Sequence, residues 1–134
     1  MINLVEILQG IETEPQFVAG GVLINATHEG KHVGRLTIEW KKNGRATVLA
    51  ADAEPQREGI GTALYQAAKE LLSELGIRWL YGALEGSGAI QTREKVFGRG
   101  RTHYFSHGSE ISLEDAIHIM DVQYGRIMAV TRVK

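Results

Sequence analysis

The chain contains no cysteine, which excludes disulfides, thiolate metal sites and a cysteine nucleophile. Prolines number only two, so no proline-rich linker divides it. Neither sign of charge dominates: 15 Lys and Arg stand against 16 Asp and Glu, a formal net charge of -1 at pH 7. That balance offers a nucleic-acid backbone no general attraction, and no nucleic-acid partner is expected. No apolar run approaches the roughly 18 residues of a membrane-spanning helix, so no membrane partner is expected. The opening MINLVEILQG lacks the basic segment, apolar core and small-residue cleavage site of a secretory leader, which points to a cytoplasmic protein.

Glycine is what the chain has in excess, 16 among 134 residues, against an average usage of about 7%. With so little proline beside it, that surplus suggests tight turns, bulges and backbone brought close to a ligand. A length of 134 residues with 43% hydrophobic content predicts a single domain spanning residues 1–134.

Residues Phe17 to Asp52 read as a meander of three strands. Phe17–His28 is rich in Val, Leu and Ile and closes at Glu29-Gly30-Lys31. His32–Trp40 alternates, with Leu36, Ile38 and Trp40 on one face and Arg35, Thr37 and Glu39 on the other. Asn43-Gly44 is the strongest hairpin signal, because a type I′ turn needs positive φ at both central positions. Arg45–Asp52 returns as an apolar strand, expected to be buried on both faces. Next, Ile60, Ala63, Leu64, Ala67, Ala68, Leu71, Leu72 and Leu75 recur at the spacing of one helix face, and Gly76 stands where a C-terminal cap belongs. A buried strand over Ile77–Glu85 completes a βαβ unit. Ala89–Phe97 predicts a short helix, Arg101–Ser106 a strand, Ser112 with Asp115 a helix start running through Met120, and Arg126–Val133 a last strand. The first fifteen residues fit helix or strand equally. The expected class is α+β: a mixed, mostly antiparallel sheet with one βαβ unit and flanking helices.

Chemistry is signalled most clearly at Ala50–Leu64, AADAEPQREGIGTAL. A strand ends, a polar loop follows, and Gly59-Ile60-Gly61 opens the long helix. Unpaired N–H groups and the positive dipole end favour an anion there, and glycine lets a phosphate approach the backbone. A Walker loop is excluded, because no Lys follows Gly61. A dinucleotide fingerprint is excluded too, because its first glycine would adjoin the strand and Leu64 replaces its third.

Gln56-Arg57-Glu58-Gly59-Ile60-Gly61 instead matches Arg/Gln-x-x-Gly-x-Gly/Ala, and in this context it resembles the coenzyme A loop of the GCN5-related N-acetyltransferases. The resemblance runs from about Thr47 to Tyr104. It implies acetyl-CoA as cosubstrate, bound at the loop that begins with Gln56, its pyrophosphate held by backbone amides of Arg57, Glu58, Gly59, Ile60, Gly61 and Thr62. Its pantetheine arm would pair with the strand at Leu49, Ala50 and Ala51. The activity implied is acetyl transfer to a primary amine carried by a small molecule or a protein. Direct attack needs a base and a proton donor near the sulfur, and a splayed strand N–H would polarise the carbonyl. Glu85 is the candidate base, with Glu39 a weaker second, and Tyr104 the candidate donor.

Departures from the family pattern fall on the activity. The family usually has an Asn-rich turn, a tyrosine that protonates the thiolate, and Glu-Lys-x-Gly-Phe. Here Gly86 falls at the Asn position and Arg93 at the tyrosine position, and the ending is Val96-Phe97-Gly98. Arginine does not give up a proton at neutral pH, although its charge can stabilise a thiolate. Glu54 and Glu58 set negative charge in the loop. The family's strand and two helices ahead of the meander are shortened here, which leaves the acceptor site open or completed by a second copy in a homodimer. A catalytically silent member of the fold, serving as a binding or structural component of a larger assembly, is the rival reading. His28 with His32 and His103 with His107 lack supporting carboxylates, so no metal is expected. The stretch from Arg93 through Arg99 and Arg101 reads as a solvated basic surface.

Overall fold

The computed structural model describes residues 10–41, 43–53, 59–84, 87–122 and 126–134. Four strands come first: β1 (Ile11–Val18), β2 (Gly21–His28), β3 (Lys31–Lys41) and β4 (Arg45–Ala53). Helix α1 (Ile60–Glu74), β5 (Trp79–Leu84), α2 (Ser87–Phe97), β6 (Thr102–Ser106), β7 (Ser109–Ile111), α3 (Leu113–Val122) and β8 (Ile127–Arg132) follow. The strands form one eight-stranded sheet in the order β1-β2-β3-β4-β5-β8-β6-β7. Among these pairings only β4 with β5 is parallel. The α+β class and the βαβ unit β4–α1–β5 therefore stand as expected.

The local signals act as their chemistry requires. Asn43 and Gly44 take φ of 70° and 73°, joining β3 to β4. At the end of α1, the Ile77 N–H reaches the Leu72 carbonyl at 2.9 Å and Gly76 takes φ 75°, a Schellman closure. Ser112 Oγ accepts from the Asp115 N–H at 3.0 Å, which caps α3.

Three expectations need correction. Phe17–His28 is not one strand: the chain reverses at Ala19-Gly20, so Phe17 and Val18 end β1, and the meander has four strands. Strand β7 was not foreseen; it folds back on β6 through His107 and Gly108, whose φ angles are 51° and 81°. Finally, β4 is not buried on both faces. From Leu49 to Ala53 it is exposed, because its parallel neighbour leaves it partway along.

Paired residues across the sheet share a face. Val22, Ile38, Val48, Gly82, Ala129 and Tyr104 thus form one row. The described helices pack on that side. Val22, Ile24, Leu36, Ile38 and Leu80 meet Ile60, Leu64, Ala68 and Leu72 in the larger core. Leu84, Ile127, Ala129 and Tyr104 meet Ile90, Ala116 and Met120 in a second one. Gly34 brings α1 close, since a Cβ there would lie 2.6 Å from Ile60 Cγ2 and 2.9 Å from the Asp52 carbonyl oxygen. The start of α1 is thereby seated against the end of β4. Among the described residues, no helix is long and apolar enough to cross a membrane.

Candidate functional site

Strands β4 and β5 pair from Arg45 with Trp79 through Val48 with Gly82, and no further. Beyond that point β4 stays on β3, through Ala53 with Gly34, while β5 stays on β8, through Leu84 with Ile127. The parallel pair becomes a fork. A β-bulge sits at the parting: Thr37 pairs with Ala50 and Ile38 with Val48, leaving Leu49 as the extra residue. A bulge bends its strand and sharpens the local twist, which turns the end of β4 away from β5. Between the prongs lies a cavity of about 450 Å³ bounded by Val48, Leu49, Ala50, Ala51 and Asp52 on one side and Ala83 and Leu84 on the other. Tyr65, Ala89 and Arg126 complete its walls.

Leu49, Ala50 and Ala51 therefore lie along an exposed strand edge that no strand among the described residues claims on this side. Gly59 is the N-cap of α1 with φ 87° and gives it no side-chain cap, and the first turn holds no acidic residue. Nothing in that turn competes with an anion for its N–H groups. Ile60 is buried in the core, so only its backbone faces the loop, whereas Gly61 and Thr62 are partly exposed. Gln56, Arg57, Glu58 and the candidate base Glu85 lie outside the described residues, as do Glu54 and Gly86.

Tyr104 is placed on the helix side of β6, 2% exposed, within the second core. Its hydroxyl is buried near Glu94 and Thr102 without a well-formed hydrogen bond, and it is not among the residues that bound the fork. Burial, then the nearby Glu94 carboxylate, push its pKa up to about 12; burial likewise raises that of Glu94. The unfolded chain ionises such a phenol near 10, so between about pH 10 and 12 the unfolded state holds fewer protons and stability falls as pH rises. Tyr104→Phe is expected to remove part of this alkaline loss while leaving stability at pH 7 nearly unchanged, as chemical denaturation at the two pH values would register. Glu39 is half-buried and ion-paired with Lys41 on the opposite face of the sheet.

Arg93 is the largest departure from expectation. It is not on a basic surface but fully buried, at 0% exposure. One terminal nitrogen donates to the Leu80 carbonyl at 3.1 Å and to Thr131 Oγ1 at 2.6 Å. Nε and Nη2 make no well-formed hydrogen bond; burial lowers the pKa of the group and the neighbouring Tyr65 opposes that shift. The guanidinium carbon lies 5.5 Å from the centre of the Tyr65 ring. Gly82 accommodates it: a Cβ there would stand 2.6 Å from Nη2 and 3.4 Å from Val48 Cβ. A buried cation thus lies against the last paired residues, Val48 and Gly82, where the strands part. Tyr65 was missed in the sequence because it flanks the apolar stripe of α1; a phenol at that boundary has one end in the core and one end wet.

A second hollow, about 590 Å³, opens on the sheet face away from the helices, lined by Tyr81, Phe105, His107, Met128 and Val130. Ala83 and Arg126 bound both hollows. Among the described residues no group of three or more His, Asp or Glu side chains is close enough to hold a metal.

No protein-family profile and no curated sequence matches the chain, but 143 chains of known structure match its fold. An IAA acetyltransferase from Bacillus cereus superposes with a TM-score of 0.64 at 13% identity, over 91% of this chain and 99% of that one. The ribosomal-protein-S18-alanine N-acetyltransferase of Escherichia coli gives 0.61 at 18% identity, over 88% and 72%. An acetyltransferase of Bacillus subtilis, solved with CoA bound, gives 0.59 at 8% identity, over 91% and 97%. At such identities the likeness is one of architecture: this chain has the fold of the GCN5-related N-acetyltransferases.

Proposed function

We propose that the chain is an N-acetyltransferase that moves an acetyl group from acetyl-CoA to a primary amine. One observation carries the reading: the fork between β4 and β5 opens a cleft beside the unpaired edge of β4, and a hollow on the open face shares Ala83 and Arg126 with it. Direct transfer between two substrates needs adjacent sites for both. The pantetheine arm would add as a strand-like neighbour to β4 at Leu49–Ala51, hydrogen-bonding an edge that is otherwise unpaired. The pyrophosphate would meet the N–H groups at Gly59, Ile60, Gly61 and Thr62, together with Gln56, Arg57 and Glu58. A backbone N–H at the bulge would stabilise charge on the carbonyl oxygen as the amine attacks. Glu85, the residue that follows Leu84 in the sequence, remains the proposed base.

The hollow on the open face suggests what sort of amine arrives. Its walls are mainly Tyr81, Phe105, Met128 and Val130, and no carboxylate is among the described residues lining it. A polycation such as a polyamine or an aminoglycoside would find no anionic wall there, whereas an amine carried on an aromatic or aliphatic body would bury that body. Calorimetric titration with acetyl-CoA, with a thermal melt alongside, tests the reading. At a hundredfold excess over Kd, a ligand of the folded state adds about 2.7 kcal/mol of stability. Absence of binding at millimolar acetyl-CoA would defeat it and favour a silent member of the fold.

A further inference from the structure

Arg93 is poorly explained by stability. Removing a guanidinium from water costs several kcal/mol, and hydrophobic replacements of buried ions are often neutral or stabilising. Yet here one is held at 0% exposure with Tyr65 as its aromatic neighbour, beneath the point where Val48 and Gly82 end the pairing of β4 and β5. Between this cation and the cleft stands Tyr65, which lines the cleft and brings the only hydroxyl among its described walls. It is 6% exposed and edge-packed on Phe97 at 6.4 Å between ring centres, so its ring is fixed.

We propose that Tyr65 is the residue that meets the sulfur of the ligand in the cleft, and that Arg93 is its positioning residue. The phenol thus comes from α1, while the position on α2 where the resembling family carries a tyrosine holds the supporting cation. The inference rests on the acetyltransferase reading. As the amine nitrogen forms its bond to the acetyl carbon, the carbon–sulfur bond breaks and the sulfur takes the Tyr65 hydroxyl proton. The phenolate left behind faces the Arg93 guanidinium, and it is reprotonated by the proton that the acetylated amine gives up to solvent. Every bond and proton is then accounted for, with no further reactant.

Calorimetry with coenzyme A and with desulfo-coenzyme A tests this without needing the acceptor. The wild type should prefer the thiol by about fivefold or more, the worth of one hydrogen bond. Tyr65→Phe should abolish the preference while binding desulfo-coenzyme A as tightly as before. Arg93→Met should weaken the preference, Arg93→Lys should restore part of it, and Arg93→Met in the Tyr65→Phe background should change nothing more, because its effect passes through the phenol. Thermal melts of each variant establish that it is folded. A preference that survives Tyr65→Phe, or a wild type that binds both ligands equally, overturns the proposal while leaving the acetyltransferase reading in place. If neither ligand binds, that reading fails and this one falls with it.

Discussion

Gly61→Leu should lower the affinity for acetyl-CoA by at least about a hundredfold, roughly 2.7 kcal/mol, while the melting temperature of the free protein holds or rises. Both halves follow from position. Gly61 lies in the first turn of α1, and the nearest heavy atom to a Cβ built there is Thr92 Oγ1 at 3.8 Å, an ordinary contact. A Cβ therefore meets no close neighbour among the described residues, and a helical glycine replaced by leucine gains up to about 1 kcal/mol of helix propensity. In the complex, that side chain would stand in the space a phosphate needs to reach the backbone N–H groups. Unchanged affinity would remove the pyrophosphate from this turn and leave only the strand edge at Leu49–Ala51 as an assigned contact. Falling affinity together with a falling melting temperature would implicate general damage instead.

Arg93→Ala should cost about 3–5 kcal/mol in chemical denaturation, whereas Arg93→Met should lie within about 1 kcal/mol of wild type. The alanine variant leaves a cavity the length of an arginine between α2 and the sheet, and it takes the donor from the Leu80 carbonyl. Thr131 keeps one partner, since its hydroxyl lies 2.9 Å from that of Thr102. Methionine would fill most of the cavity with a flexible apolar chain. It would also remove a charge whose Nε and Nη2 make no well-formed hydrogen bond to offset their loss of water. Equal, large losses in both variants would mean that the two hydrogen bonds from Arg93 outweigh its burial, and that the residue is structural. A stable methionine variant, by contrast, leaves the cation to be explained by what happens in the cleft.

Much of this protein is legible as local pattern. The stripe from Ile60 to Leu75, the glycine that ends it and the Asn43-Gly44 turn are all set by interactions within a few residues, and all appear where the spacing puts them. The Gly59-Ile60-Gly61 signal likewise marks the start of α1 from the chain alone. The break at Ala19-Gly20 was legible in principle, since Gly20-Gly21 punctuates the run, but apolar residues on both sides masked it. Strand β7 is only Ser109–Ile111, too short for alternation to register. The end of β4 misled for a different reason. Leu49, Ala50 and Ala51 are apolar, and apolar residues in a strand suggest burial; an exposed apolar edge awaiting a neighbour has the same composition.

By itself, then, the sequence determined the α+β class, the βαβ unit and the glycine-opened helix, because backbone propensity, capping and periodicity are properties of neighbouring residues. Only the tertiary structure decided where the strands part, since the fork depends on which partners β4 and β5 keep, β3 on one side and β8 on the other. It also decided that Arg93 is buried rather than solvated, and that Tyr65 rather than Tyr104 lines the cleft. A side chain's charge and length are written in the chain. Whether it meets water, a ring or a ligand depends on elements far away in sequence, and that is fixed only when the sheet and the helices close on one another.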